Sequence, residues 1–177
     1  MAVATAVPPG KLSVVKPLCA LGFVLAIAAC HKDSTAPLTV VTPPDSVATS
    51  TAVVFSGGTI TAQIAATNTA RANGLMNVSN LGANAGMLFV FGTNHAPSDC
   101  AFWMEDTPIS LSIAFIDSTM TVINVEDMAA ETTTPLHEPT SACRYALETN
   151  LGWFSAHNVT AGSTVTFTLP AGTIIDP

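Results

Sequence analysis

Positive charge is scarce in this sequence: after residue 30 only Lys32, Arg71 and Arg144 stand against all twelve carboxylates, a formal charge of −9 for that part of the chain. Nucleic-acid binding depends on Lys and Arg neutralising phosphates, so a surface this acidic excludes nucleic acid as a partner. The four histidines, His31, His95, His137 and His157, show no His-x-x-x-His spacing. With no Asp-x-Asp-x-Asp-Gly loop either, we expect no metal site. There is no Gly-x-Ser-x-Gly elbow to carry a nucleophilic serine. No Gly-x-Gly-x-x-Gly or Walker-type loop is present to cradle a nucleotide, and we expect no cofactor. These absences leave no catalytic constellation, and they point to a binding or accessory module rather than an enzyme.

A long hydrophobic run is also missing. The longest, from Leu18 to Ala29, is too short to cross a bilayer core as a helix, which takes roughly 20 residues. It follows Lys11 and Lys16 with no acid before it, the arrangement of a signal peptide. The run ends Ile27-Ala28-Ala29-Cys30, which resembles a bacterial lipobox. There the cysteine is acylated and becomes the first mature residue, and more than one acyl chain suffices for stable anchoring. The alternative is an ordinary secretory peptide with Cys30 left free. The expected organisation is a lipoprotein signal peptide at 1–29, a flexible Ser/Thr/Pro-rich tether at 30–52, one β-rich domain at 53–170 and a tail at 171–177. The protein is then exported and membrane-anchored through lipid, facing the extracytoplasmic side, with an envelope ligand or protein partner still to be identified.

Within the domain, short β-branched or apolar runs alternate with Gly, Asn and Pro. Val53–Phe55 and Thr59–Ala65 read as a hairpin about Gly57-Gly58, and Met87–Phe91 as a buried strand. Leu111, Ile113 and Phe115 occupy one face of a strand that returns through Thr121–Val125. Arg144–Glu148 and Thr164–Leu169 read as further strands. Thr67 or Asn68 is placed to cap a short helix that Gly74 ends, and Asn150 to cap a second over Leu151–His157. Together these predict a mainly β fold, a compact antiparallel β-barrel or sandwich with two short helices.

Several blocks in order, Asn73-Gly74-Leu75-Met76-Asn77-Val78, Gly86-Met87-Leu88-Phe89-Val90-Phe91, Phe102-Trp103-Met104-Glu105-Asp106-Thr107, Arg144-Tyr145-Ala146-Leu147-Glu148 and Gly152-Trp153-Phe154, resemble the family known as domain of unknown function 192. The resemblance implies a small, mainly β, often exported domain with no established activity. The family commonly reads Lys-Asn where Glu105-Asp106 stand here, and Asp in place of Ser112.

Of the remaining cysteines, Cys19 leaves with the signal. Cys100 and Cys143 are left in an oxidising compartment, where a disulfide between them is expected; two separate thiols are the alternative. Such a bridge closes a loop worth roughly 4 kcal/mol by chain entropy. Trp103, Glu105, Asp106, Arg144 and Glu148 form the candidate binding surface. Glu148 is placed to pair with Arg144 or to hold a buried amide. An alternative reading pairs Glu105 or Asp106 with Glu148 as a hydrolase acting on envelope polymers, which needs the two carboxyls facing each other across a cleft. Phe102, Trp103, Trp153 and Phe154 are read first as core, and second as a ligand platform.

Overall fold

A computed structural model describes residues 49–177. The expected signal segment, Cys30 and most of the tether lie outside the described residues. Six strands make one sheet in the order β1-β2-β3-β6-β4-β5, with two short helices, so the mainly β class expected from the sequence is the class observed.

Strands β1 (Ser50–Phe55) and β2 (Gly58–Ala65) form the expected antiparallel hairpin. Gly57 in its turn lies against the second helix, where a Cβ would sit 2.0 Å from the carbonyl oxygen of His157. Helix α1 (Asn68–Asn73) then crosses over the sheet. The Thr67 hydroxyl accepts the Ala70 N–H at its start, and Gly74, at φ 45°, ends it. This crossover makes β3 (Ala85–His95) run parallel to β2, the one parallel pair in a sheet otherwise antiparallel as expected. A helical connection returns the chain to the same end of the sheet, which a tight hairpin cannot do.

The hairpin of β4 (Leu111–Ile116) and β5 (Val122–Met128) follows, and β6 (Cys143–Asn150) inserts between β3 and β4. Every residue of β4 is buried, since both faces of this strand are covered. Its Ser112 hydroxyl donates to Asp127 and accepts the Gly152 N–H. Those two bonds satisfy a hydroxyl that burial would otherwise leave stranded.

Two layers of side chains pack on the sheet. On one face Val53, Phe55, Ile60, Leu88, Val90 and Leu147 meet Trp153 and Phe154 of helix α2 (Trp153–Ala156). On the other, Phe89, Phe91, Ile113, Phe115 and Ala146 meet Met104 and the disulfide. Alternation along each strand separates the two sets. Helix α2 is shorter than expected and is not capped by Asn150. The left-handed Gly152, φ 79°, precedes it, while the Asn150 amide donates to the carbonyls of Leu81 and Gly82.

The expected last strand, Thr164–Leu169, is present only as single bridges to two partners. Thr166 exchanges backbone bonds with Val54 of β1, while Ser163 and Val165 bond the β4–β5 turn at Val122 and Met120. One residue on each side leaves no ladder to propagate. The segment thereby links the two outer strands of the sheet and gives the molecule its barrel-like wrap.

Candidate functional site

Glu148 is the one buried acid of the described residues, 4% exposed. Its place follows from the register. β6 is central, Met87 and Ile113 flank Glu148 on the neighbouring strands, and Ala146 shares its face. None of these side chains donates a hydrogen bond, and no hydrogen bond or charge from the described residues acts on the Glu148 carboxyl. Burial alone pushes its pKa up to about 8. Desolvation disfavours the charged form, and here nothing opposes it.

The carboxyl opens on a cavity of about 500 Å³. Aromatic and apolar lining comes from Leu75, Phe89, Phe91, Phe102 and Trp103, and Asn73, Thr107 and Pro177 line it too. Its size and mixed lining are those of a small-molecule site. Three further charged or titratable side chains, Arg71, His95 and Asp99, line it as well.

Arg71 is a clamp. Its guanidinium donates to the carbonyl oxygens of Ala66 (2.7 Å), Val90 (2.8 Å) and Asp176 (3.2 Å) and to Asn68 Oδ1 (2.6 Å), and it lies 5.4 Å from the centre of the Phe91 ring. Burial lowers its pKa, and the Asp176 charge opposes that shift. The cation thus fastens α1 and the C-terminal segment to β3, with its terminal N–H groups already engaged. His95, at the end of β3, sits 5.1 Å from the Phe91 ring, and its buried Nε2 has no hydrogen-bond partner among the described residues.

Of the five residues proposed from sequence, the cavity brings Trp103 and Glu148 together. Glu105, Asp106 and Arg144 lie off it. Glu105 and Asp106 form a turn in which Asp106 is left-handed (φ 51°) and exposed, a conformation short polar side chains tolerate. Its backbone carbonyl takes the Asn77 N–H at 2.7 Å, and the Thr107 hydroxyl donates to the Glu105 carbonyl. This acidic turn is therefore a brace behind the cavity wall. Arg144 does not pair with Glu148: four residues along a strand span about 13 Å. Its guanidinium lies 5.9 Å from the Tyr145 ring instead, with Nε buried and unpaired. Sequence reasoning passed over Arg71, His95 and Phe91. The usable signal was Arg71 itself, a lone cation on a short helix in a cation-poor domain.

No group of three or more metal-ligating side chains occurs among the described residues. His137 Nδ1 lies 2.8 Å from one carboxylate oxygen of Glu126, whose other oxygen accepts the Asn124 side-chain N–H at 3.1 Å. Hydrolysis by a pair of carboxylates requires a second acid facing Glu148, and neither Glu105 nor Asp106 reaches the cavity.

Against known proteins, the family model DUF192, "Uncharacterized ACR", matches residues 51–167. A crystal structure from Sinorhizobium meliloti 1021, of a protein called a proposed transcription regulator, superposes with TM-score 0.60 at 24% identity. That match covers 67% of this chain and 92% of the other. A protein of unknown function from Novosphingobium aromaticivorans DSM 12444 gives TM-score 0.59 at 25% identity, covering 66% of this chain and 83% of its own. No curated protein matches the chain.

Proposed function

This chain belongs to the DUF192 family, and from that premise we propose that it is a small-molecule binding module of the cell envelope, exported and held to a membrane by acyl chains on Cys30. The observation that carries the binding role is Glu148, an acid with no partner at the wall of an aromatic cavity. Fold stability gains nothing from such a group, because an unpaired buried carboxyl is a net cost that an apolar residue would avoid. A ligand that completes its bonding gives the position a purpose. The tether and lipid belong to the same reading, and their support is the lipobox-like Ile27-Ala28-Ala29-Cys30 after a short apolar run. The name given to the Sinorhizobium protein is not carried over, since three cations after residue 30 against twelve carboxylates do not favour a phosphate backbone.

The test is thermal unfolding of the full chain in mild detergent against metal ions, sugars, cell-wall fragments, amines and nucleotides. A ligand at about 100 times its dissociation constant adds roughly 2.7 kcal/mol, several degrees in midpoint for a domain of this size. We expect one class to raise the midpoint, and Glu148→Gln to shrink that shift. Silence across the panel with well-folded protein sinks the binding role. For the anchor, Cys30→Ser is expected to move the protein from the membrane fraction to the soluble fraction; retention on the membrane would refute lipidation there.

A further inference from the structure

Four charged or titratable side chains line the cavity, and they differ in what they have left to offer. Arg71 has its terminal N–H groups on the carbonyls of Ala66, Val90 and Asp176 and on Asn68. An anionic ligand would have to compete with those acceptors for the terminal N–H groups. Asp99 is already engaged. His95 carries a buried Nε2 without a partner, and the buried Glu148 carboxyl feels desolvation with no hydrogen bond or charge from the described residues to offset it. The bonding capacity that remains at the cavity is thus dominated by an acid, and around it stand the rings of Phe89, Phe91, Phe102 and Trp103.

We propose that this cavity takes an organic ammonium, a primary or secondary amine on an apolar body, with its N–H groups donating to the Glu148 carboxylate. The inference deepens the reading of the cavity as a ligand site and rests on it. Three features converge. A charge-assisted N–H to carboxylate bond is about twice as strong as a neutral one. Aromatic rings attract a desolvated cation further. A neutral guest would leave Glu148 protonated and meet it with neutral hydrogen bonds at most. The wider charge on this face does not compete: Glu126, in register with Ile113 one strand beyond Glu148, is held by His137.

Binding of this kind carries a proton signature. Glu148 is largely protonated below about pH 8, so an ammonium must expel that proton. Affinity then rises with pH, approaching tenfold per unit well below the pKa, and levels off above it. Arg71 keeps its charge throughout. A carboxylate ligand that accepts the Glu148 proton would show the opposite slope.

The experiment is a calorimetric or NMR titration of the full chain in mild detergent with benzylamine, benzyl alcohol and phenylacetate, for the native protein and Glu148→Gln. Benzylamine is expected to bind at least about tenfold more tightly than benzyl alcohol at pH 8, with phenylacetate weakest. Its affinity is expected to rise between pH 6.5 and 8, with proton release. In Glu148→Gln the preference falls to within about twofold, while benzyl alcohol binds as before and so reports an intact cavity. If the variant fails to fold, the pH slope of the native protein decides by itself. Equal or tighter binding of phenylacetate or benzyl alcohol, or a preference that survives in Glu148→Gln, overturns the ammonium and leaves the cavity as a ligand site. Binding of none of the three overturns both.

Discussion

Glu148→Gln is expected to raise the unfolding midpoint by about 10–15 °C at pH 8.5 and to leave it almost unchanged at pH 4. Burial raises the folded-state pKa of Glu148 from its ordinary 4.5 to about 8. A raised carboxyl means that the folded protein binds a proton more tightly than the unfolded chain. Stability contributed by the protonated form is whole below pH 4.5 and is lost progressively as pH rises through about 8. Above that the penalty is complete, on the order of 5 kcal/mol at 1.36 kcal/mol per pKa unit. Glutamine has the same shape and no charge, so the variant should show none of this slope. Asp117 acts at the acid end. Burial pushes its pKa up, but bonds from Thr119 and Thr121 outweigh that and leave it lowered, so its contribution is lost as pH falls. The native protein should therefore be most stable in mild acid, near about pH 5. A midpoint flat from pH 5 to 9, the same in both proteins, would mean that Glu148 is solvated or paired in solution.

That a ligand cavity should be built on a costly residue is consistent with how the rest of the sheet is made. Ser112 is buried too, but Asp127 and Gly152 satisfy it. Trp153 is nearly buried, and its indole N–H reaches Asn84 Oδ1 at 3.1 Å. Polar groups in this molecule are matched where structure is their purpose. Among the described residues His95 Nε2 and Arg144 Nε have no hydrogen-bond partner and Glu148 has only desolvation acting on it, and Glu148 and His95 lie at the cavity.

Elements governed by local chemistry were legible in the sequence. The β1–β2 hairpin, the Thr67 cap, the Gly74 stop and the β4–β5 return depend on neighbours along the chain. The parallel β2–β3 pair was not legible, because alternation gives a strand its faces and not its partner. The single bridges at Ser163–Thr166 depend on β1 and on the β4–β5 turn, both remote in sequence. At the site, Glu148 and Trp103 were accessible from an acid in an apolar strand and an aromatic beside a turn. Glu105 and Asp106 drew attention because charge in a turn looks available. Their turn in fact braces the cavity from behind. Arg71 and His95 join Glu148 only through the α1 crossover and the far end of β3, which no local pattern encodes.

The largest remaining effect should come from the bridge between Cys100 and Cys143, both buried. Replacing both cysteines by alanine is expected to lower stability by about 4 kcal/mol, roughly 10–15 °C, because the cross-link closes a segment with a sequence separation of 43 in the unfolded chain. Reductant should move the native protein by a similar amount and the double variant not at all. A native midpoint indifferent to reductant, once thiol titration confirms reduction, would show that packing alone holds these two segments together. The consequence reaches the cavity as well. Cys100 is part of its wall, Cys143 begins the strand that carries Glu148, and the bridged segment includes Phe102, Trp103 and Thr107. Reduction should therefore weaken ligand binding more than it weakens the distant β1–β2 hairpin, as amide exchange in the two regions would record. On the proposed extracytoplasmic location, this couples site assembly to compartment. The cavity would gain its fixed walls only where thiols oxidise, after the chain has left the reducing cytoplasm.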